Sequence, residues 1–204
     1  MSKPSLRLIH LLALTSFSLA SFGALSSTAA VARADEYYAG PPVSSAGGIS
    51  DWTVQHRSSD LSVLAWLPWY YGFGVGAELR YEIFIVPHGF IPTINNSFSL
   101  EPSIGLAYTT YGVPGYNWSI TDIAPALYGL WSFYFSPAFR LYGGLGLGYN
   151  IGIATAPYGY NGTIGDSYFY WDPVVGISFK LAQNFALRGE LGTQGVKAGI
   201  SFYF

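Results

Sequence analysis

The chain ends Gly195-Val196-Lys197-Ala198-Gly199-Ile200-Ser201-Phe202-Tyr203-Phe204, and these ten residues alternate. Val196, Ala198, Ile200, Phe202 and Phe204 share one parity. Lys197, Gly199, Ser201 and Tyr203 take the other. Successive side chains of a strand point to opposite faces, so this is a strand with one apolar and one mixed face.

Upstream, the same parity rule recurs. Leu61, Val63, Ala65 and Leu67 mark a strand over 60–67, with Asp60 at its start. Residues 73–85 set Val75, Ala77, Leu79, Tyr81 and Ile83 against Gly76, Glu78, Arg80 and Glu82. Over 98–108, Leu100, Ile104 and Leu106 oppose Glu101, Ser103 and Gly105; over 123–135, Leu127, Gly129, Trp131 and Phe133 oppose the phase of Asp122. Residues 139–153 oppose Leu141, Leu145, Leu147 and Ile151 to Arg140, Tyr142, Gly144, Gly146 and Gly148. Then 168–181 sets Trp171, Val175, Ile177 and Phe179 against Asp172, Ser178 and Lys180. A seventh strand sets Phe185, Leu187 and Leu191 against Arg188 and Glu190. Almost every charge after Ser59 therefore falls on one face.

Bulk composition fits this pattern. The chain has 204 residues, 50% hydrophobic and only 10% charged, against roughly 25% charged in an ordinary soluble domain. Mean hydropathy is +0.31. Yet beyond the N-terminus no apolar run reaches the roughly 20 residues of a membrane helix. Residues 1–34 read as a cleavable secretory signal: Lys3 and Arg7 precede an apolar stretch, Leu8 to Leu25, and Ala32-Arg33-Ala34 suits a signal peptidase. Residues 35–59, aperiodic and rich in Gly, Pro and Ser, read as a periplasmic linker, flexible or lightly packed. The formal charge of −2 includes three cations of the expected leader, and an acidic mature chain disfavours nucleic acid as a partner. With no cysteine there is no disulfide framework.

Short turns at 136–138 and 182–184 alternate with longer stretches at 111–119 and 154–167, expected as loops on the opposite rim. Pro68–Gly72 and Gly192–Gly195 read as short turns on that rim, and Pro87–Asn96 as a long turn on the first. About eight strands close this scheme, an all-β, antiparallel up-and-down barrel over 60–204. Proline donates no ladder hydrogen bond, so Pro102, Pro125 and Pro173 should each meet a bulge or weakened pairing.

Phase decides what surrounds the barrel. With the apolar face inward, the outer wall would be Gly, Ala, Ser and Tyr, a poor coat for a soluble protein. With it outward, Leu, Val and Ile meet hydrocarbon. Aromatics then form two girdles, Trp66, Trp69, Tyr108, Trp118 and Trp171 towards one rim and Trp131, Phe135, Phe139, Phe185 and Phe202 towards the other. The terminal aromatic strand behind a signal sequence resembles the closing strand of small bacterial outer-membrane β-barrels, of the outer membrane protein A and outer membrane protein X type. That resemblance covers about the last three quarters of the chain. It implies an outer-membrane monomer surrounded by lipid. It also implies that Phe202 and Phe204 form the assembly signal read by the barrel-insertion machinery.

Inside such a barrel the charged face becomes an ion-pair network. Its expected members are Asp60, Glu78, Arg80, Glu82, Glu101, Asp122, Arg140, Asp172, Lys180, Arg188, Glu190 and Lys197. A two-residue turn at Thr193-Gln194 sets Glu190 across from Lys197. A loop at 68–72 sets Asp60 across from Arg80. A polar plug that rigidifies the barrel is the first functional expectation, with a structural or surface-interaction role for the protein. Stretches 111–119 and 154–167 are the surface that would meet a ligand. The alternative is a narrow pore for ions or small solutes, given room by Gly144, Gly146 and Gly148. A lipid-modifying enzyme ranks third, because His56 and His88 lie outside the strands and no serine on a strand has a base beside it. Neither a cofactor motif nor a metal-ligand cluster is present in the sequence.

Overall fold

A strand with an apolar outer face and unpaired edges can enter a bilayer only if the sheet closes on itself. The computed structural model describes residues 47–51, 53, 57–69, 73–113, 116–155 and 167–204. The expected leader, residues 35–46, 52 and 54–56 of the expected linker, and residues 114–115 and 156–166 lie outside this set. The strands are β1 (Asp60–Pro68), β2 (Phe73–Val86), β3 (Asn96–Val113), β4 (Tyr116–Tyr134), β5 (Phe139–Thr155), β6 (Tyr168–Ala182), β7 (Phe185–Gly192) and β8 (Gly195–Tyr203). Each pairs antiparallel with the next, and β8 returns to β1, making a closed eight-stranded barrel.

The phase is the one that puts apolar side chains outside. Leu147 is 62% exposed and Ile177 49%, whereas Arg140 and Arg188 are 5% and 2% exposed. The outward set is thus accessible to lipid, and the charged set, Lys180 apart, lies in the lumen; Trp66, expected in the outer girdle, is instead buried on the inward phase at 4% exposure. Phe202 and Phe204 face outward on the closing strand and at its end.

Strand lengths are unequal, and here the sequence expectation is corrected. Tyr111 to Ser119 is not a loop: β3 and β4 stay paired to Val113 opposite Tyr116. Apolar alternation fades at Thr109-Thr110 because a strand beyond the hydrocarbon no longer needs a greasy face. A spanning strand takes about 9–11 residues. β3, β4 and β5, with 18, 19 and 17, therefore overshoot the bilayer, whereas β1, β7 and β8, with 8 or 9, barely cross it. One wall of the barrel stands tall, by roughly 20 Å at about 3.3 Å per residue before tilt is allowed for.

The β1–β2 register is also corrected. Asp60 sits opposite Glu82, and Ser62 opposite Arg80. The register is shifted by two from the expected one, and β1–β2 pairing stops at Trp66–Gly76, leaving Leu67 and Pro68 to pair only with β8. A shift of two preserves the face, so the charges stay inside. At the prolines the ladder yields. The β2–β3 pairing is interrupted between Arg80–Ser103 and Ile83–Leu100, beside Pro102. The β4–β5 pairing breaks between Ile123–Ile151 and Ala126–Gly148, beside Pro125. Pro173 lies one residue beyond the β6–β7 ladder.

The rim bearing the short turns and the barrel's two strand ends is the periplasmic one in outer-membrane barrels. There the described part of the pre-barrel segment is tied to the β2–β3 connection. Asn95 donates its N–H to Ile49 O at 2.8 Å, and Arg57 donates from Nη2 to Asn95 Oδ1 at 2.6 Å and from Nε to Pro87 O at 2.9 Å. The Arg57 guanidinium also stacks 3.5 Å from the centre of the Tyr134 ring. Asp51 accepts from Gly47 N, Thr53 N and Thr53 Oγ1, and these donors, Gly47 first, hold its carboxyl below the ordinary 3.8.

Candidate functional site

Three short turns and the parity of the strands bring the inward charges together along the barrel axis. At the centre, Arg80 (β2) holds Glu190 (β7) with Nη2–Oε1 at 2.6 Å and Glu78 with Nε–Oε1 at 2.8 Å. Arg188 (β7) grips Glu101 (β3) through both terminal nitrogens, at 2.9 and 2.8 Å. This two-point geometry is the strong form of an arginine–carboxylate pair. Arg188 also donates from Nε to the Tyr142 hydroxyl (β5) at 2.8 Å and from Nη1 to Ser62 (β1) at 3.2 Å. Tyr142 passes its own proton towards Glu190 at 3.2 Å.

Nearer the loop rim, Lys197 (β8) contacts Glu78 at 2.8 Å and Asp172 (β6) at 3.3 Å. It lies directly across from Glu190 in the register, with Nζ 3.8 Å from Oε1. Tyr128 (β4) donates to Asp172 at 2.9 Å and accepts from Lys197 at 3.0 Å. All eight strands thus contribute a side chain to one connected set. Nearer the turn rim, Arg140 holds both oxygens of Glu82, at 2.9 and 2.7 Å, and Asp60 lies 3.6 Å away.

Two of the expected members stand apart. Asp122, near the loop rim, has no base within 4 Å among the described residues and accepts from Asn150 Nδ2 at 2.8 Å. Lys180 is half-buried at the turn rim rather than in the lumen, its Nζ 4.9 Å from the centre of the Tyr203 ring. The β6–β7 register slips between Lys180 and Ala182, at the mouth of the barrel, where a solvated ammonium needs no carboxylate. Asp60 faces Glu82 and Arg140 instead of Arg80.

The room expected above the inward glycines is filled. A Cβ on Gly146 would come within 2.3 Å of the Tyr128 ring, and one on Gly148 within 2.4 Å of the Tyr170 ring. Tyr128, 1% exposed, was not among the expected site residues although it shares the parity of Asp122. That parity was the available signal. Its guanidinium neighbour Arg80 lies 3.7 Å from the ring centre, a cation–π contact between two side chains that are each 1% exposed.

On the tall wall, Tyr111 and Trp118 stack across β3 and β4 with centroids 5.8 Å apart. They share the inward parity of Asp122, so the stack stands on the concave side above the lumen plug. Of the stretch 154–167, residues 156–166 lie outside the described set. Among the described residues, no group of three or more His, Cys, Asp or Glu is arranged to hold a metal ion.

Among solved structures the chain is similar to Ail, the attachment invasion locus protein of Yersinia pestis, at 14% identity and a TM-score of 0.46. That match covers 72% of this chain and 99% of Ail. Ail in complex with the heparin analogue sucrose octasulfate gives 16% identity and a TM-score of 0.43, with the same coverage. Neisserial surface protein A gives 13% and 0.44, covering 72% of this chain and 94% of its own. No curated protein matches. The model of the outer membrane protein beta-barrel domain matches residues 17–199, nearly the whole chain. The chain belongs to that family, and its address is the bacterial outer membrane.

Proposed function

We propose that this protein is a closed, non-enzymatic barrel whose work is done outside the membrane, as a surface-interaction element on a rigid transmembrane stem. The observation that carries this reading is the lumen network. Arg80, Glu101, Tyr128, Tyr142 and Arg188 are each 2% exposed or less and bonded across the barrel axis, so the interior is occupied. A plugged stem leaves the tall wall of β3–β5 as the exposed working part. The Tyr111–Trp118 stack offers a flat, polar-edged aromatic surface there, chemistry suited to a glycan or a protein partner. The same reading makes residues 1–34 an export signal. It also makes Phe202 and Phe204 the contact for the insertion machinery, Phe202 being exposed on the closing strand and Phe204 just past its end.

Two measurements on the purified, folded barrel test it. In planar bilayers it should show no conductance steps above background; reproducible steps would favour the narrow-pore alternative. Cells displaying the protein should bind an immobilised glycan or matrix-protein panel above a barrel-less control. Trp118→Ala should reduce that binding by about tenfold, the loss of one aromatic contact of 1–2 kcal/mol. Equal binding by cells with and without the barrel would remove the surface role.

A further inference from the structure

The loop rim carries charge of one sign. Residues 67–75, 106–124, 149–173 and 191–196, the strand ends there and the connections between them, include no Lys, Arg or His. Their acids are Asp122, Asp166 and Asp172, and Asp172 is matched by Lys197 at 3.3 Å. For Asp122 the sequence itself supplies no such base. Every Lys and Arg after Arg33 is placed elsewhere: Arg80, Arg188 and Lys197 among the lumen acids, Arg140 on Glu82, Arg57 and Lys180 at the turn rim. His56 adjoins Arg57 in the chain, and His88 lies in the β2–β3 connection.

Asp122 is 6% exposed and sits on the inward face of β4, across from Ala107 of β3 and Gly152 of β5. Those flanking positions carry a methyl group and a hydrogen, so neither reaches over the carboxylate. Oδ1 accepts from Asn150 at 2.8 Å. Oδ2 has no donor among the described residues and is not sealed from solvent. Independent of this acid are the rings above it. The Tyr111–Trp118 stack shares its inward parity, and Trp118 stands four residues further along β4, about 13 Å away at 3.3 Å per residue before tilt. The Tyr111 hydroxyl senses the acid: burial first, then the Asp122 carboxylate and Tyr168 of β6, hold it above its ordinary 10.0. Beneath, Trp66, Ala107 and Ala124, with Tyr170 packed against them, close the lumen. The extracellular end is thus a cup with aromatic walls and one acid near its floor.

We propose that this cup takes a slender alkylammonium group from outside the cell, a free amine or the lysine side chain of a partner, with its charge at Asp122 and its stem along Tyr111 and Trp118. This rests on the surface-interaction reading above and names the charge of the group recognised. Ring faces attract a cation and their edges pack an aliphatic stem, so the walls and the floor select for the same ligand. A sulfated or phosphorylated ligand would find no base anywhere on this rim and would be repelled. The slight exposure of Asp122 admits an unbranched chain and excludes a bulky cation.

The test uses the mature chain folded in an uncharged maltoside at pH 7, titrated in a calorimeter. The probes are 1,5-diaminopentane, the peptide acetyl-Gly-Lys-Gly-amide, and 1-pentanol as a neutral chain of similar girth. Saturable heat with at least one of the two amines, and none with 1-pentanol, is the expected result. Binding of the diamine alone assigns a free amine, and binding of the peptide assigns a lysine side chain. Asp122→Asn is isosteric and should weaken binding about tenfold with the barrel still heat-modifiable on a gel, the scale of one charge-assisted hydrogen bond. Asp122→Glu, which keeps the charge on a longer stem, should recover part of that loss. No saturable heat with either amine to the millimolar range, equal binding of 1-pentanol, or an affinity unchanged by Asp122→Asn would overturn the proposal. If displaying cells still bound the glycan or matrix-protein panel, the surface role would stand without it; loss of both would remove both.

Discussion

Arg188→Met should destabilise the barrel by about 3–5 kcal/mol, the range seen when one partner of a buried ion pair is removed. Among the described residues Arg188 is the sole two-point partner of Glu101, whose other cation, Arg80 Nη1, stands at 3.5 Å. Methionine keeps the length of the aliphatic stem, so the loss is one of charge and hydrogen bonds more than of volume. It leaves Glu101 fully buried with one long contact and takes the donors from Tyr142 and Ser62. The double variant Arg188→Met with Glu101→Gln should recover much of the loss, because the uncompensated charge is then gone. Lys180→Met, at the rim with no carboxylate partner among the described residues, should stay within about 0.5 kcal/mol of the parent. Urea unfolding in lipid vesicles, followed by gel mobility before and after boiling, checks all three. An Arg188→Met barrel as stable as the parent would show that the plug is ornamental to the fold. A double variant no better than the single would show that volume, not charge, was lost.

How much of this was legible beforehand follows from what a closed barrel demands. Lipid outside and a charge-filled lumen inside impose one parity on every strand, so the faces of Leu147, Ile177, Arg140 and Arg188 could be read from alternation alone. Strand ends could not. Beyond the hydrocarbon the parity constraint relaxes, and the stretch 111–119 reads as a loop although Tyr111 to Val113 still ladder with β4. Register across a longer connection is equally weakly written, since a slip of two leaves every face unchanged. Hence Asp60 meets Glu82 rather than Arg80, while the two-residue turn after β7 allowed Glu190 and Lys197 no such freedom. The tie between the pre-barrel segment and the β2–β3 connection had no signature at all. It depends on backbone carbonyls of Ile49 and Pro87 as acceptors, and every residue type supplies those.

Gly199→Val should prevent the barrel from closing. Gly199 sits on the inward parity of β8, opposite Leu64 of β1, at the seam where the last strand meets the first. A Cβ built there would lie 1.9 Å from the backbone oxygen of Val63 and 2.7 Å from Cα of Leu64. The obstacle is main chain, so no rotamer relieves it and the strands themselves must part. Ordinary overpacking costs about 1–3 kcal/mol, and a backbone collision belongs at or beyond the upper end. The consequence is larger than the collision, because the β1–β8 ladder extends over nine residue pairs from Asp60 to Pro68. Parting it exposes two sheet edges to hydrocarbon, where each unsatisfied backbone group costs several kcal/mol. The variant should therefore accumulate as unassembled chain, running at one gel position with or without boiling and remaining sensitive to added protease. Gly189→Ala is the matched control. Gly189 is on the outward parity of the neighbouring strand, and a Cβ there meets only Ile177 Cγ1 at 3.8 Å, an ordinary contact. It should assemble like the parent. Normal yield and heat-modifiable mobility for Gly199→Val would mean that the seam has slack enough for a side chain. Closure would then have to be attributed to the outward aromatic contacts, Phe185 against Phe202 at 5.8 Å among them, rather than to close approach of the two backbones.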